Sequence, residues 1–158
     1  MNLNVITILM TKVKDVMTKR VINIESNKTV IEAAALMAEN DVANLIVMED
    51  NTPIGIVTER DFVRRVLAQD KPSQTRISEV MSTPLKVIDP DAPLKEAARR
   101  MVRKKIRRLA VISDNKLVGI ITATDFARHL SKKTFADEIL EAIGRSNYPV
   151  PEVFIGLY

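Results

Sequence analysis

Two short segments carry residue types from which a binding chemistry can be built. GIVTERDF at 55–62 returns as GIITATDF at 119–126, with Gly, Ile, Thr, Asp and Phe in the same places. Each reads as a strand end running into a helix start, so Thr58 and Thr122 close the strands and Asp61 and Asp125 fall in the first helical turn. A helix start presents unpaired N–H groups and a partial positive charge, which suit an anion. A threonine hydroxyl beside them donates to a phosphate oxygen. An ionised aspartate three residues on accepts two hydrogen bonds from a sugar cis-diol. Gly55 and Gly119 leave room for a ligand or a neighbouring backbone to approach the strand. The same residues have a plainer use, since Thr and Asp cap helices and a strand glycine serves packing. One copy alone asks for nothing more than that; two in register do.

The elements that must position these residues are repeated as well. Residues 13–66 match 77–130 without a gap, with 17 identities in 54 positions. VINI (21–24) and LKVI (85–88) read as short strands, each followed by a polar turn in which Asn27 or Asp91 starts a helix ahead of Thr29 or Pro93. Those helices carry apolar residues at 30, 33, 34 and 37, and at 94, 97, 98 and 101, a single buried stripe in each. NLIVM and RLAVI suit buried strands. EDN and SDN make turns, and PIGIVT and LVGIIT return antiparallel before a second helix begins at ERDF or ATDF. The order is β-α-β-β-α, twice. Two copies make a pseudo-twofold pair rather than a solenoid.

Composition excludes several functions. Apolar residues make up 46% of the chain and aromatics only 4%, so the core is aliphatic. There is no Cys, hence no disulfide, thiolate metal site or cysteine nucleophile. His129 is the only histidine and has no nucleophile to pair with, and the carboxylates are scattered, so neither an enzyme nor a metal site is expected. The opening MNLNVITILM lacks a basic start and a cleavage site, and no stretch reaches membrane-spanning length. These features predict a soluble cytoplasmic protein. Net charge is +4, and seven of the ten residues in RRMVRKKIRR (99–108) are basic. That run is a solvated helix face or an anion-binding surface. The scarcity of aromatic residues for base stacking argues against nucleic acid.

The VMT and VMS starts, the PIGIVTERD and LVGIITATD segments and IRRLAVI together resemble a tandem cystathionine β-synthase (CBS) domain pair, or Bateman module. The resemblance implies an α/β fold of two β-α-β-β-α repeats about a pseudo-twofold axis. On that basis 1–10 is an extension, 11–67 the first repeat, 68–76 a linker, 77–131 the second repeat, and 132–158 a C-terminal helix and apolar tail.

The family further implies an adenine-nucleotide-binding regulatory module with AMP, ADP or ATP as ligand and no catalytic cofactor. Asp61 and Asp125 would hold ribose, with Thr58 and Thr122 near phosphate. Arg107 and Arg108 would serve the cleft containing Asp61, with Arg60 adding charge. The Asp125 site would have Thr124 in place of that arginine and would lack opposing arginines. Adenine would lie between VINI, including Ile24, with Ile54, and KVI with Val118, with Thr18 and Ser82 at the edge. A homodimer acting on a separate protein target is implied. The alternatives are a ligand-free structural module and an S-adenosylmethionine-binding pair. The tail, with Pro149, Pro151 and several apolar residues, is expected to dock on a hydrophobic groove and help set the oligomer.

Overall fold

The computed structural model describes residues 11–131, so the expectations for 1–10 and for the 132–158 helix and tail lie outside the described residues. The first repeat comprises β1 (Asn23–Glu25), α1 (Val30–Asn40), β2 (Asn44–Glu49), β3 (Thr52–Thr58) and α2 (Glu59–Arg65). After a short helix α3 (Ile77–Val80), the second comprises β4 (Val87–Ile88), α4 (Leu94–Lys104), β5 (Arg108–Ser113), β6 (Lys116–Thr122) and α5 (Ala123–Ser131). Each repeat forms a three-stranded sheet, β1-β2-β3 or β4-β5-β6, parallel in its first pair and antiparallel in its second. The expected α/β order therefore holds in both halves. The strands of VINI and LKVI are shorter and later than read, because pairing with β2 and β5 begins only at Asn23 and Val87.

Helix α1 starts differently from the sequence reading. Thr29, not Asn27, is the cap. Its extended backbone lets the hydroxyl accept the Glu32 N–H at 3.3 Å while the Glu32 carboxylate accepts the Thr29 N–H at 2.8 Å. The Thr-x-x-Glu spacing makes this reciprocal box available, and Asn27 lies too far out to compete. In the second repeat Pro93 holds the corresponding place, and Asp91 instead accepts from Lys12 and Lys14 at 2.7 Å each.

Strand alternation builds three apolar layers. Leu45 and Val47 of β2 pack with Val30, Ala33 and Met37 of α1 in one core, and Leu109 and Val111 of β5 pack with Leu94, Ala97 and Met101 of α4 in another. The intervening Ile46 and Ala110 turn the other way and meet Ile120 in a middle layer between the sheets. Burial of β2 and β5 on both faces is why they read as continuous apolar runs.

The repeats exchange their leading segments. Thr18 pairs with Ile120 of the second repeat, and Ser82 pairs with Ile56 of the first. Val13, Val16 and Met17 pack on the second core, whereas Ile77, Val80 and Met81 pack on the first. A shift of 64 residues carries one bridge onto the other, the reciprocity that a twofold relation requires.

Candidate functional site

Both strand-to-helix segments close in the same way. Thr58 is the cap of α2: its hydroxyl accepts the Asp61 N–H at 3.3 Å, and Asp61 Oδ2 accepts the Thr58 N–H at 2.9 Å. Thr122 and Asp125 repeat this at 3.3 and 2.8 Å. Capping is thus a real duty of all four residues, and it engages one carboxylate oxygen of each aspartate. The other oxygens differ. Asp61 Oδ1 lies 3.3 Å from Arg65 Nε, whereas Asp125 Oδ1 accepts from Arg128 at 3.1 Å and from Thr18 at 3.3 Å. The Asp61 side chain is 14% exposed and that of Asp125 4%. Asp61 is the more open acceptor.

The glycines answer to backbone. A Cβ on Gly55 would stand 2.8 Å from Met81 Sδ and 3.0 Å from the Ser82 carbonyl oxygen. One on Gly119 would stand 2.6 Å from Met17 Sδ and 3.0 Å from the Thr18 carbonyl oxygen. Both positions admit the exchanged leader of the other repeat. Arg65 ties that leader down, donating to the Val80 and Met81 carbonyls at 2.7 and 2.8 Å and to Ser82 Oγ at 3.1 Å.

Two clefts lie between the repeats. One, of about 300 Å³, has Thr58, Arg60 and Asp61 on one wall and Ser82–Lys86 with Lys105–Arg108 on the other. The second, of about 610 Å³, has Thr122, Thr124 and Asp125 facing Thr18, Arg20–Ile22 and Asp41–Asn44. The opposing walls are related by the 64-residue shift, so each cleft takes its helix start from one repeat and its strand entries from the other. Thr58, Arg60, Arg107 and Arg108 line both clefts. The pKa of Arg108 is lowered, chiefly by burial and then by the like charge of Arg107, against which Asp61 and Glu59 act. A guanidinium of the second repeat thus senses the carboxylates at the α2 start of the first.

Two sequence expectations need correction. The Asp125 cleft does not lack arginines, since Arg20 lies on its opposing wall and Arg60, Arg107, Arg108 and Arg128 also line it. Ile24, Ile54 and Val118 line neither cleft. Ile24 is a core residue, and the other two pack against the helix-side cores. The cause is a bulge: Val47 pairs with Gly55 and Met48 with Pro53, leaving Ile54 unmatched and turned to the helix side, as Val118 is in the second repeat. The apolar walls are instead Val21, Ile22, Val42 and Ile120 in one cleft, and Ile56, Leu85, Ile106 and Ala110 in the other. Lys86 and Lys105 were also missed; they match Ile22 and Asp41 across the repeat, so applying the shift to wall residues would have found them.

Comparison with known proteins bears on both halves. The family described as CBS domain matches twice, over residues 13–68 and 77–132. CBS domain-containing protein YhcV of Bacillus subtilis is 38% identical over 138 residues, which cover 87% of this chain and 99% of that protein. Among solved structures, the CBS domain pair of protein MJ0100 in complex with 5′-methylthioadenosine and S-adenosyl-L-methionine aligns with a TM-score of 0.71 at 29% identity, covering 78% of this chain and 99% of that one. A hexameric CBS-CP12 protein from bloom-forming cyanobacteria aligns with a TM-score of 0.69 at 32% identity, covering 84% and 81%. The exchanged leaders, the paired clefts and a family match in each half lead to one assignment: this chain belongs to the CBS domain family, as a tandem pair.

Proposed function

We propose that this CBS pair is a non-catalytic regulatory module that binds an adenine nucleotide (AMP, ADP or ATP) between its repeats and acts on a separate protein. The observation that carries this reading is the cleft beside Asp61. There a helix start and a carboxylate face a wall bearing Lys86, Lys105, Arg107 and Arg108. Four cations opposite a diol acceptor match the ends of a nucleoside phosphate, because guanidinium forks suit phosphate geometry. In this reading Asp61 and Asp125 hold ribose, Thr58, Thr122, Thr124, Thr18 and Ser82 edge the sugar and phosphate, and Arg60, Arg107 and Arg108 meet the phosphates. Adenine lies against the apolar walls. A ligand that touches both repeats draws them together and shifts the population toward the closed form, altering the surface offered to a partner. The module works in the cytoplasm as a homodimer.

The complex of MJ0100 with 5′-methylthioadenosine and S-adenosyl-L-methionine favours an adenosyl ligand in general. The cationic wall here favours phosphate over a sulfonium. Thermal unfolding with AMP, ATP, adenosine, S-adenosylmethionine and GMP tests the choice. A ligand at a hundredfold excess over its dissociation constant stabilises the native state by about 2.7 kcal/mol. AMP or ATP is expected to raise the melting temperature well above the effect of GMP. A dominant shift with S-adenosylmethionine overturns the nucleotide reading, and no shift with any adenine compound leaves a ligand-free structural module.

A further inference from the structure

The buried faces of the two long helices match across the repeat, Val30 with Leu94, Ala33 with Ala97 and Met37 with Met101. Their outer faces do not. Helix α1 exposes Ile31, Glu32, Ala35, Ala38 and Glu39, whereas α4 exposes Lys95, Arg99, Val102, Arg103 and Lys104. Helix α1 holds two glutamates and no basic residue, net −2, and α4 holds five basic residues and one glutamate, net +4. Since the cores of the two repeats are alike, folding does not require this divergence. Large apolar side chains also stand in solvent on the helical side of the molecule: Ile31 is 54% exposed, Val63 56%, Leu67 73% and Val102 80%. Scattered exposed residues are ordinary; four on the helix faces of one small chain, beside opposite charges, describe an interface.

We infer that two copies of this chain associate head to tail, with α1 of one copy on α4 of the other. The inference rests on the homodimer of the proposed function and adds its orientation. A closed twofold dimer of a pseudo-twofold protomer can bring its long helices together in two ways. Like on like sets the +4 helix against its own copy. Unlike on unlike sets −2 against +4, and does so twice. The exclusion is the stronger term, because like charges facing each other across an interface select against that pairing. The attraction is smaller. Glu32 is already paired with Lys28 at 3.0 Å, so Glu39 is the main acid that α1 presents. On α4, Arg100 is bonded to Glu96 and to the Val87 carbonyl, and Lys95, Arg99, Arg103 and Lys104 remain at the surface. Val102 and the small residues Ala35 and Ala38 supply the apolar contact.

The chain has no cysteine, so single cysteines report orientation cleanly. Ala38 and Val102 are equivalent across the 64-residue shift, both are exposed, and neither lines a cleft. Ala38→Cys and Val102→Cys proteins are prepared separately, one with a size tag, mixed, treated with a short bis-maleimide and resolved on a denaturing gel. The expected result is a covalent dimer of mixed size that forms only when both variants are present. Self-crosslinking of Val102→Cys alone, no mixed crosslink, or a monomer mass by light scattering of the untreated protein overturns the inference. A charge test gives an independent sign. Arg99→Glu with Arg103→Glu is expected to weaken the dimer about tenfold, with recovery on adding Glu39→Arg. In a like-on-like dimer the same pair would relieve repulsion and tighten it, a result that also overturns the inference. Nucleotide-induced stabilisation is measured on the same variants, so failure of the orientation is distinguishable from failure of the sensor reading.

Discussion

Asp61→Asn separates the two duties of that side chain. In the folded protein Asp61 Oδ2 accepts the Thr58 N–H at 2.9 Å and the Thr58 hydroxyl at 2.7 Å, while Oδ1 faces Arg65 Nε at 3.3 Å. Asparagine keeps one carbonyl oxygen for the cap. It replaces the second oxygen and the charge with an NH2 group that cannot accept from a ribose diol. A hydrogen bond to a charged acceptor contributes about 1.5–3 kcal/mol, so losing one such bond raises the dissociation constant for AMP roughly 10- to 150-fold. The partner Arg65 is 45% exposed, which limits the loss of stability from that pair to about 1 kcal/mol or less. Calorimetric titration with AMP measures the first effect, and unfolding without ligand measures the second. Asp125→Asn is expected to behave the other way round. Its side chain is only 4% exposed and both oxygens already accept bonds from Thr122, Thr18 and Arg128, so stability falls more and affinity less. Unchanged AMP affinity in Asp61→Asn, or a larger affinity loss in Asp125→Asn, refutes the assignment of the more open carboxylate to the ligand.

Gly55→Ala and Gly119→Ala are each expected to lower stability by about 1–3 kcal/mol, because the added Cβ meets a leader carbonyl at 3.0 Å as well as a methionine sulfur. Unchanged denaturation midpoints would show that the leaders can retreat without loss. Stability is also expected to fall in acid. The Thr29 N–H, then Lys28 and the Thr29 hydroxyl, lower the pKa of Glu32 from 4.5 to about 2, and Lys12 and Lys14 lower that of Asp91 from 3.8 to about 2. Both carboxylates are depressed in the folded state, so their contribution is present above those ordinary values and is lost as pH falls toward 2. Both are exposed, which makes the effect small and sensitive to salt; a melting temperature that stays flat across that interval contradicts it.

The features legible in the sequence were those written in local spacing. Thr58 and Asp61 announce a helix start because the cap needs three-residue spacing, and the stripe from Val30 to Met37 announces a buried helix face because the period is helical. Long-range pairings left no such trace. The VM of residues 16–17 and that of 80–81 are the same word, and nothing in it states which sheet each segment joins. Ile54 and Val118 were placed on a ligand wall because a regular strand was assumed, and a single bulged residue reverses the face. Arg20 was overlooked for a related reason: its cleft is assembled from the other repeat, so no neighbour in sequence marks it.

The crossing of the leaders has a consequence for how the chain comes apart. Val13, Val16 and Met17 complete a core whose sheet begins some seventy residues later, and Ile77, Val80 and Met81 complete the earlier one. A break anywhere in the 68–76 linker therefore would not release two self-sufficient halves. The first half would lack the segment that closes its own core and would carry the one that closes its neighbour's. Opening of either half strips a wall from the other, so the slowest-exchanging amides of β2 and β5 should report a single shared opening free energy. Fraying at one end of the chain is then felt at the far sheet, and the tandem pair behaves as one foldon with two faces.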